Sequence, residues 1–303
     1  MNIINLIGTQ ITTMYVLIIF GYLLYKTKLL SQTFLSKLTS LLIWVINPMI
    51  ILSRYQIPFE VEKFKKLGIT FLLSMITMIF GFVIAHALKK NEKIEKLALG
   101  FGNAGFIGIP LITGILGLDY IFYLSAYLAC FNLFSYTYGI YLITSDAKDI
   151  SFKRIVKNPG VLAVIFGIIL FLSPIKLPTP IYNLFNHAGK LNTPIAMILL
   201  GTYIAKMKII DIIKDKNIYE LSFFKLFIIP LLTLILLKLI PFGNHNIKMI
   251  MLIVTATPVG LTVPMFSEIY GGDYIYGAKI VSLSTLLSLF SLPVILYLGS
   301  VFI

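Results

Sequence analysis

The chain reads as a succession of long apolar runs separated by short polar links, most of them basic. A run of about 20 apolar residues is long enough to cross a hydrocarbon core as a helix. Ten such spans are predicted. They are Leu6 to Tyr25, Phe34 to Ser53, Leu67 to Leu88, Ile94 to Leu116 and Tyr120 to Ile143 in the first half. In the second half Asn158-Pro159-Gly160 opens a sixth span that ends near Leu172. Ile181 to Ala205, Leu221 to Ile240, Ile247 to Tyr270 and Ile275 to Leu298 follow. The first run lacks a basic leader and a small-residue cleavage site, so it is read as a retained span and not a signal peptide.

Two runs carry residues that an unbroken helix resists. Span 4 contains GFGNAGFIGIP, with Gly102, Asn103, Gly105, Gly108 and Pro110. Pro110 lacks an N–H, and its ring clashes with a carbonyl one turn back. Span 9 contains TATPVGLTVP, with Thr255, Thr257, Pro258, Gly260 and Pro264. Pro264 follows Pro110 by 154 residues in a chain of 303, and the alignment sets Asn103 against Thr257. Pro48 in span 2 and Pro194 in span 7 form a second matched pair, 146 residues apart. Five spans per half turn the second half over in the membrane. The expectation is therefore an all-α integral membrane protein of two inverted five-helix repeats, residues 1–150 and 151–303, with broken helices 4 and 9. Two merely kinked structural helices are the plainer alternative.

Composition agrees with the pattern. The chain is 58% hydrophobic and 12% charged, with mean hydropathy +0.96, against about 25% charged in soluble proteins. A net charge of +13 in a soluble protein would suggest nucleic acid. Here juxtamembrane lysines are the simpler cause, and no nucleic-acid partner is expected. The odd-numbered links take 17 of the 25 Lys and Arg, among them Lys89, Lys90, Lys93, Lys96, Lys208, Lys214 and Lys225. That bias puts those links in the cytoplasm and both termini outside, in a multi-pass cell-membrane protein. Arg54 and Lys63 to Lys66 fall on the opposite side and weaken it. The single cysteine, Cys130, allows no disulfide within the chain.

At a helix break, backbone carbonyls and N–H groups lose their partners, and helix N-termini favour anions. Asn103, Thr255 and Thr257 add side-chain hydrogen-bonding groups there. Such a site suits a small organic anion with one or two carboxylates; alternatively, these side chains only satisfy the broken backbone. Asn47 either faces the same cavity or satisfies the kink at Pro48. No acidic residue lies in the middle of a span, whereas a cation antiporter would place a carboxylate there. Glu268, late in span 9, is a candidate for carrying a proton, and Lys190, in span 7, for attracting an anion. The plainer readings are a surface position for Glu268 and snorkelling for Lys190. GFGNAGFIG lacks a following Lys-Ser/Thr, so it is not a phosphate loop. Three scattered histidines give no metal constellation. No enzyme, cofactor or metal is expected.

The residues GYLLYKTKLLS, INPMI, GNAGFIGIPL, KNPGVLAVIFGIIL, LGTYIA, TATPVGLTVPMFSEIYG and SLSTLLSLFSLPVI, in this order, resemble the auxin efflux carrier family. Its bacterial members, often labelled malonate transporters, are the nearer likeness. The resemblance implies a fold like that of bile-acid sodium symporters and sodium/proton antiporters, with spans 4 and 9 crossing at their breaks. Spans 1, 2, 6 and 7 would form a scaffold, and spans 3 to 5 with 8 to 10 a moving transport domain. In plant relatives an asparagine and prolines at the crossover lie by the substrate carboxylate, which carries over to Asn103, Pro110, Pro258 and Pro264. The plant carriers are dimers, so a homodimer is the implied assembly. The chain lacks the long hydrophilic loop of many plant carriers, and auxin itself is a poor guess as cargo. The expected function is a secondary carrier for a small carboxylate such as malonate, working by alternating access. A sodium- or proton-coupled symporter of another small solute is the second reading, and a membrane receptor a remote third.

Overall fold

In the computed structural model, residues 3–89, 92–150, 152–206 and 215–303 are described. Lys90, Lys208 and Lys214, which the charge count uses, lie outside the described residues. Among the described residues the chain is all-helical and has no strand. Its helices are α1 (Ile3–Lys26), α2 (Gln32–Arg54), α3 (Val61–Leu88), α4 (Lys93–Gly100), α5 (Ala104–Ile115), α6 (Leu118–Thr144) and α7 (Phe152–Val156). After them come α8 (Pro159–Leu172), α9 (Thr179–Lys190), α10 (Asn192–Lys206), α11 (Lys216–Leu239), α12 (His245–Ala256), α13 (Thr262–Tyr270) and α14 (Tyr274–Phe302).

Five helices, α2, α3, α6, α11 and α14, are long and apolar enough to cross a membrane. Ten apolar runs yield fewer long helices partly because three runs are divided. Span 4 is α4 plus α5, span 9 is α12 plus α13, and span 7 is α9 plus α10, parted at Leu191. The charged link before span 3 is also revised. It forms the first turns of α3, where Lys66 and Glu62 pair at 2.6 Å one turn apart, a spacing that supports a helix.

Prolines leave a common mark. Widened turns, with bonds reaching one residue further than in an α-helix, occupy Leu42–Ile46, Ala104–Gly108, Ser135–Gly139 and Phe224–Ile228, and all but the third precede a proline. Pro48, Pro110 and Pro230 each stand two residues beyond one of them. A proline ring collides with the carbonyl four residues back, and a widened turn moves that carbonyl aside.

The chain divides into two compact units. The first comprises Met1–Phe71, Gly105–Ala129 and Val156–Lys206. Within it α1 lies along α10. The approach is so close that a Cβ on Gly201 would strike the Ile18 carbonyl oxygen, and one on Gly21 that of Ile198. Small residues at such a crossing let backbones pack where lipid supplies no hydrophobic drive. In the same unit α2 packs on α8 and α9, and Tyr55 and Ser125 share a buried 2.6 Å hydrogen bond.

The second unit comprises Leu72–Ala104, Cys130–Ile155 and Met207–Ile303. Helix α12 is its centre: every residue from Met249 to Ala256 is buried, with α11 and α14 packed around it. Buried hydroxyls of α14, from Ser282, Ser284, Thr285 and Ser288, donate to carbonyls of their own helix.

The α1–α10 contact makes a sharp prediction. Gly201→Val should abolish monodisperse protein in detergent size-exclusion chromatography. Gly68→Ala, where a new Cβ meets nothing within 4 Å, should elute as the parent does.

Candidate functional site

The site is built where two helices stop. Helix α4 ends at Gly100 because Phe101 turns extended, with φ −106° and ψ 115°. Helix α12 ends at Ala256 because Thr257 does the same, with φ −61° and ψ 147°, immediately before Pro258. A residue that precedes proline is pushed out of the helical region. The two extended segments then run antiparallel and exchange backbone bonds. The Asn103 N–H donates to the Pro258 carbonyl at 2.8 Å, and the Gly260 N–H to the Phe101 carbonyl at 3.0 Å. Gly102 sits opposite Val259 between them. The Val259 N–H, which points the other way, donates to the Ser284 hydroxyl of α14 at 3.2 Å. Each break thus satisfies the other, as buried backbone at membrane depth requires.

The crossing is tight. A Cβ on Gly102 would fall 2.5 Å from Thr257 Oγ1 and 2.9 Å from the Val254 carbonyl oxygen. One on Gly260 would fall 2.7 Å from the Gly102 carbonyl oxygen. Glycine is required at both positions by this approach.

Asn103, Thr255 and Thr257 are brought together here, and all are buried, with Thr257 fully so. The threonines spend their protons locally. Thr257 donates to the Val254 carbonyl at 2.6 Å, and Thr255 to the Met251 and Leu252 carbonyls at 2.9 and 3.0 Å. In this arrangement they offer a ligand lone pairs, not donors. Pro264 is the third residue of α13, within the first turn, where a proline is tolerated.

Other candidates belong to other elements. Gly105, Gly108 and Pro110 belong to α5 in the first unit. Asn47 and Pro48 also belong there; Asn47 accepts a hydrogen bond from Asn192, which links α2 to the start of α10 beside Pro194. Lys190 is exposed at the last position of α9, and Glu268 is exposed on α13.

Lys225 also lies at the crossing. The charge pattern groups it with the juxtamembrane lysines, but the structure buries it, at 2% exposure, in the widened turn of α11. Its ammonium donates to the Leu99 carbonyl, in the last turn of α4, at 3.2 Å. It would lie 3.5 Å from a Cβ on Gly102. The available signal was a lysine within the apolar run from Leu221 to Ile240, five residues before Pro230. Sequence reasoning misses Ser284 as well.

Beyond the crossing, the start of α4 is tied down by charge. Buried Glu95 pairs with Lys89 at 3.2 Å and accepts from the Tyr276 hydroxyl at 2.8 Å, while Lys89 also pairs with Glu220 at 3.1 Å. Burial works against the Lys89 charge, but the Glu220 and Glu95 carboxylates outweigh it and hold its pKa above the ordinary lysine value.

Gly102→Ala should therefore disrupt the site, costing at least about 1–3 kcal/mol through overpacking. Gly105→Ala, where a Cβ meets nothing within 4 Å, should be neutral or slightly stabilising. Thermal unfolding of the two purified variants beside the parent checks the contrast, and an equal loss in both would refute it.

A family model described as membrane transport protein matches residues 6–296 of the chain. No curated protein matches it.

Proposed function

The chain belongs to the membrane transport protein family, a family of transporters and not of enzymes, and from that premise we propose that it is a secondary carrier of a small organic anion. The cargo class is a mono- or dicarboxylate, with malonate as the first compound to test. The carrier works by alternating access, from ten membrane segments in two inverted repeats. Spans 1, 2, 6 and 7 act as scaffold, and spans 3 to 5 with 8 to 10 as the moving part. It resides in the cell membrane with both termini outside and functions as a homodimer.

The observation that carries this reading is the antiparallel exchange of backbone bonds between residues 101–103 and 258–260. Antiparallel breaks from matching places in two halves are what inverted repeats would generate. A buried asparagine at that point, with no acidic residue in the crossing segments, favours an anion over a metal cation. The buried state of Asn103 and Thr257 fits an occluded stage of such a cycle.

Thermal stabilisation of purified protein across a panel of mono- and dicarboxylates should give a reproducible hit. Asn103→Ala should then lower proteoliposome uptake of that compound about tenfold, a change of about 1.4 kcal/mol, without loss of folding. Response to a neutral solute alone would overturn the anion reading, and unchanged uptake in a correctly inserted variant would remove Asn103 from the site.

A further inference from the structure

We propose that the Lys225 ammonium is the resident cation of the crossing: it holds the carboxylate of the cargo there, and it occupies the place that a dissolved metal cation would otherwise have to fill. The inference rests on the anion reading above. It deepens that reading by naming the charge that selects the cargo and by removing sodium from the cycle.

Position is the first argument. Helices α4 and α12 both direct their C-terminal ends at the break. Such ends carry orphan carbonyls and partial negative charge, and they attract a cation. Lys225 meets one of these carbonyls directly, at Leu99. Its Nζ reaches the same spot beside Gly102 as the Thr257 hydroxyl and the Val254 carbonyl. The widened turn before Pro230 carries this side chain, and that turn packs on α4, α12 and α14.

Charge balance is the second. No carboxylate pairs with Lys225 among the described residues. On the helices packed against its turn, the titratable and charged side chains are Lys93, Glu95 and Lys96 of α4, His245 and Lys248 of α12, and Tyr274, Tyr276, Lys279 and Tyr297 of α14; α11 itself adds Lys216, Tyr219, Glu220 and Lys238. Of the two carboxylates among them, Glu95 is already held by Lys89 and Tyr276, and Glu220 by Lys89. A lysine buried without a counter-charge is costly, and inside a membrane such a group marks a solute path. A lysine that merely anchored its helix would extend its ammonium to the interface, whereas this one is nearly wholly buried. One turn earlier on the same face of α11, the buried Ser222 hydroxyl has no hydrogen-bond partner among the described residues. A carboxylate bound beside Lys225 would supply the missing negative charge, and Ser222 lies on the helix face from which a second donor would come.

The test uses purified full-length protein, with malonate as probe, in sodium chloride and in choline chloride at equal ionic strength. The wild type should be stabilised by malonate equally in both salts. Without malonate, its unfolding temperature should be the same in the two. Lys225→Met should bind malonate at least about 30-fold more weakly while unfolding no earlier than the wild type, because removal of a buried charge is not destabilising in itself. Lys225→Arg, which keeps the charge, should lose less affinity than Lys225→Met. A structural role alone would lower the unfolding temperature and leave affinity intact. Wild-type protein whose malonate response requires sodium, or a methionine variant with undiminished affinity, overturns this inference and leaves the anion reading standing. Wild-type protein that answers to no carboxylate in either salt overturns both.

Discussion

The molecule depends on one constraint: no backbone polar group survives unpaired at membrane depth. Helices meet it alone, and interrupted helices do not. Here two interruptions, at residues 101–103 and 258–260, meet it jointly. Each lends the other the N–H or carbonyl that a helix would have supplied. Everything close by follows from that exchange. Gly102 and Gly260 are required because side chains would part the segments. Thr257 is drawn to the Val254 carbonyl to close the last turn of α12. Ser284 is placed to take the one N–H that faces away.

Much of this was legible in the sequence. The glycines, the asparagine and the prolines announced two breaks, and the 154-residue interval tied one to the other. The divided span 7 was less visible, because Asn192 and Pro194 read as a kink and not as a new helix start. Long apolar runs also overstated helix length, since hydropathy is blind to whether a backbone is continuous. The charged residues 60–66 look like a plain polar link by hydropathy, and only their ion pairs at helical spacing, Lys63 with Glu60 and Lys66 with Glu62, mark the start of a helix.

Lys225 was misread for a more instructive reason. Counting basic residues for orientation treats each lysine as an interfacial anchor, which is right for most and wrong for one that faces inward. Only packing separates the two, and here the buried lysine sits within the widened turn before Pro230. The threonine hydroxyls lie at the crossing, and their protons are committed to neighbouring carbonyls, which leaves lone pairs and not donors for a ligand.

The mutual pairing of the two breaks also bears on how the chain is made. When α4 and α5 enter the bilayer, the segment that completes them has not yet been synthesised. The Asn103 N–H and the Phe101 carbonyl must wait for residues 258 and 260, some 155 residues further along the chain. Until α12 arrives, the first half holds an open polar seam in an apolar surrounding. Biogenesis therefore calls for water, the insertion machinery or a temporary hydrogen-bond partner to cover that seam. The same two bonds that close the finished site make its first half incomplete by itself.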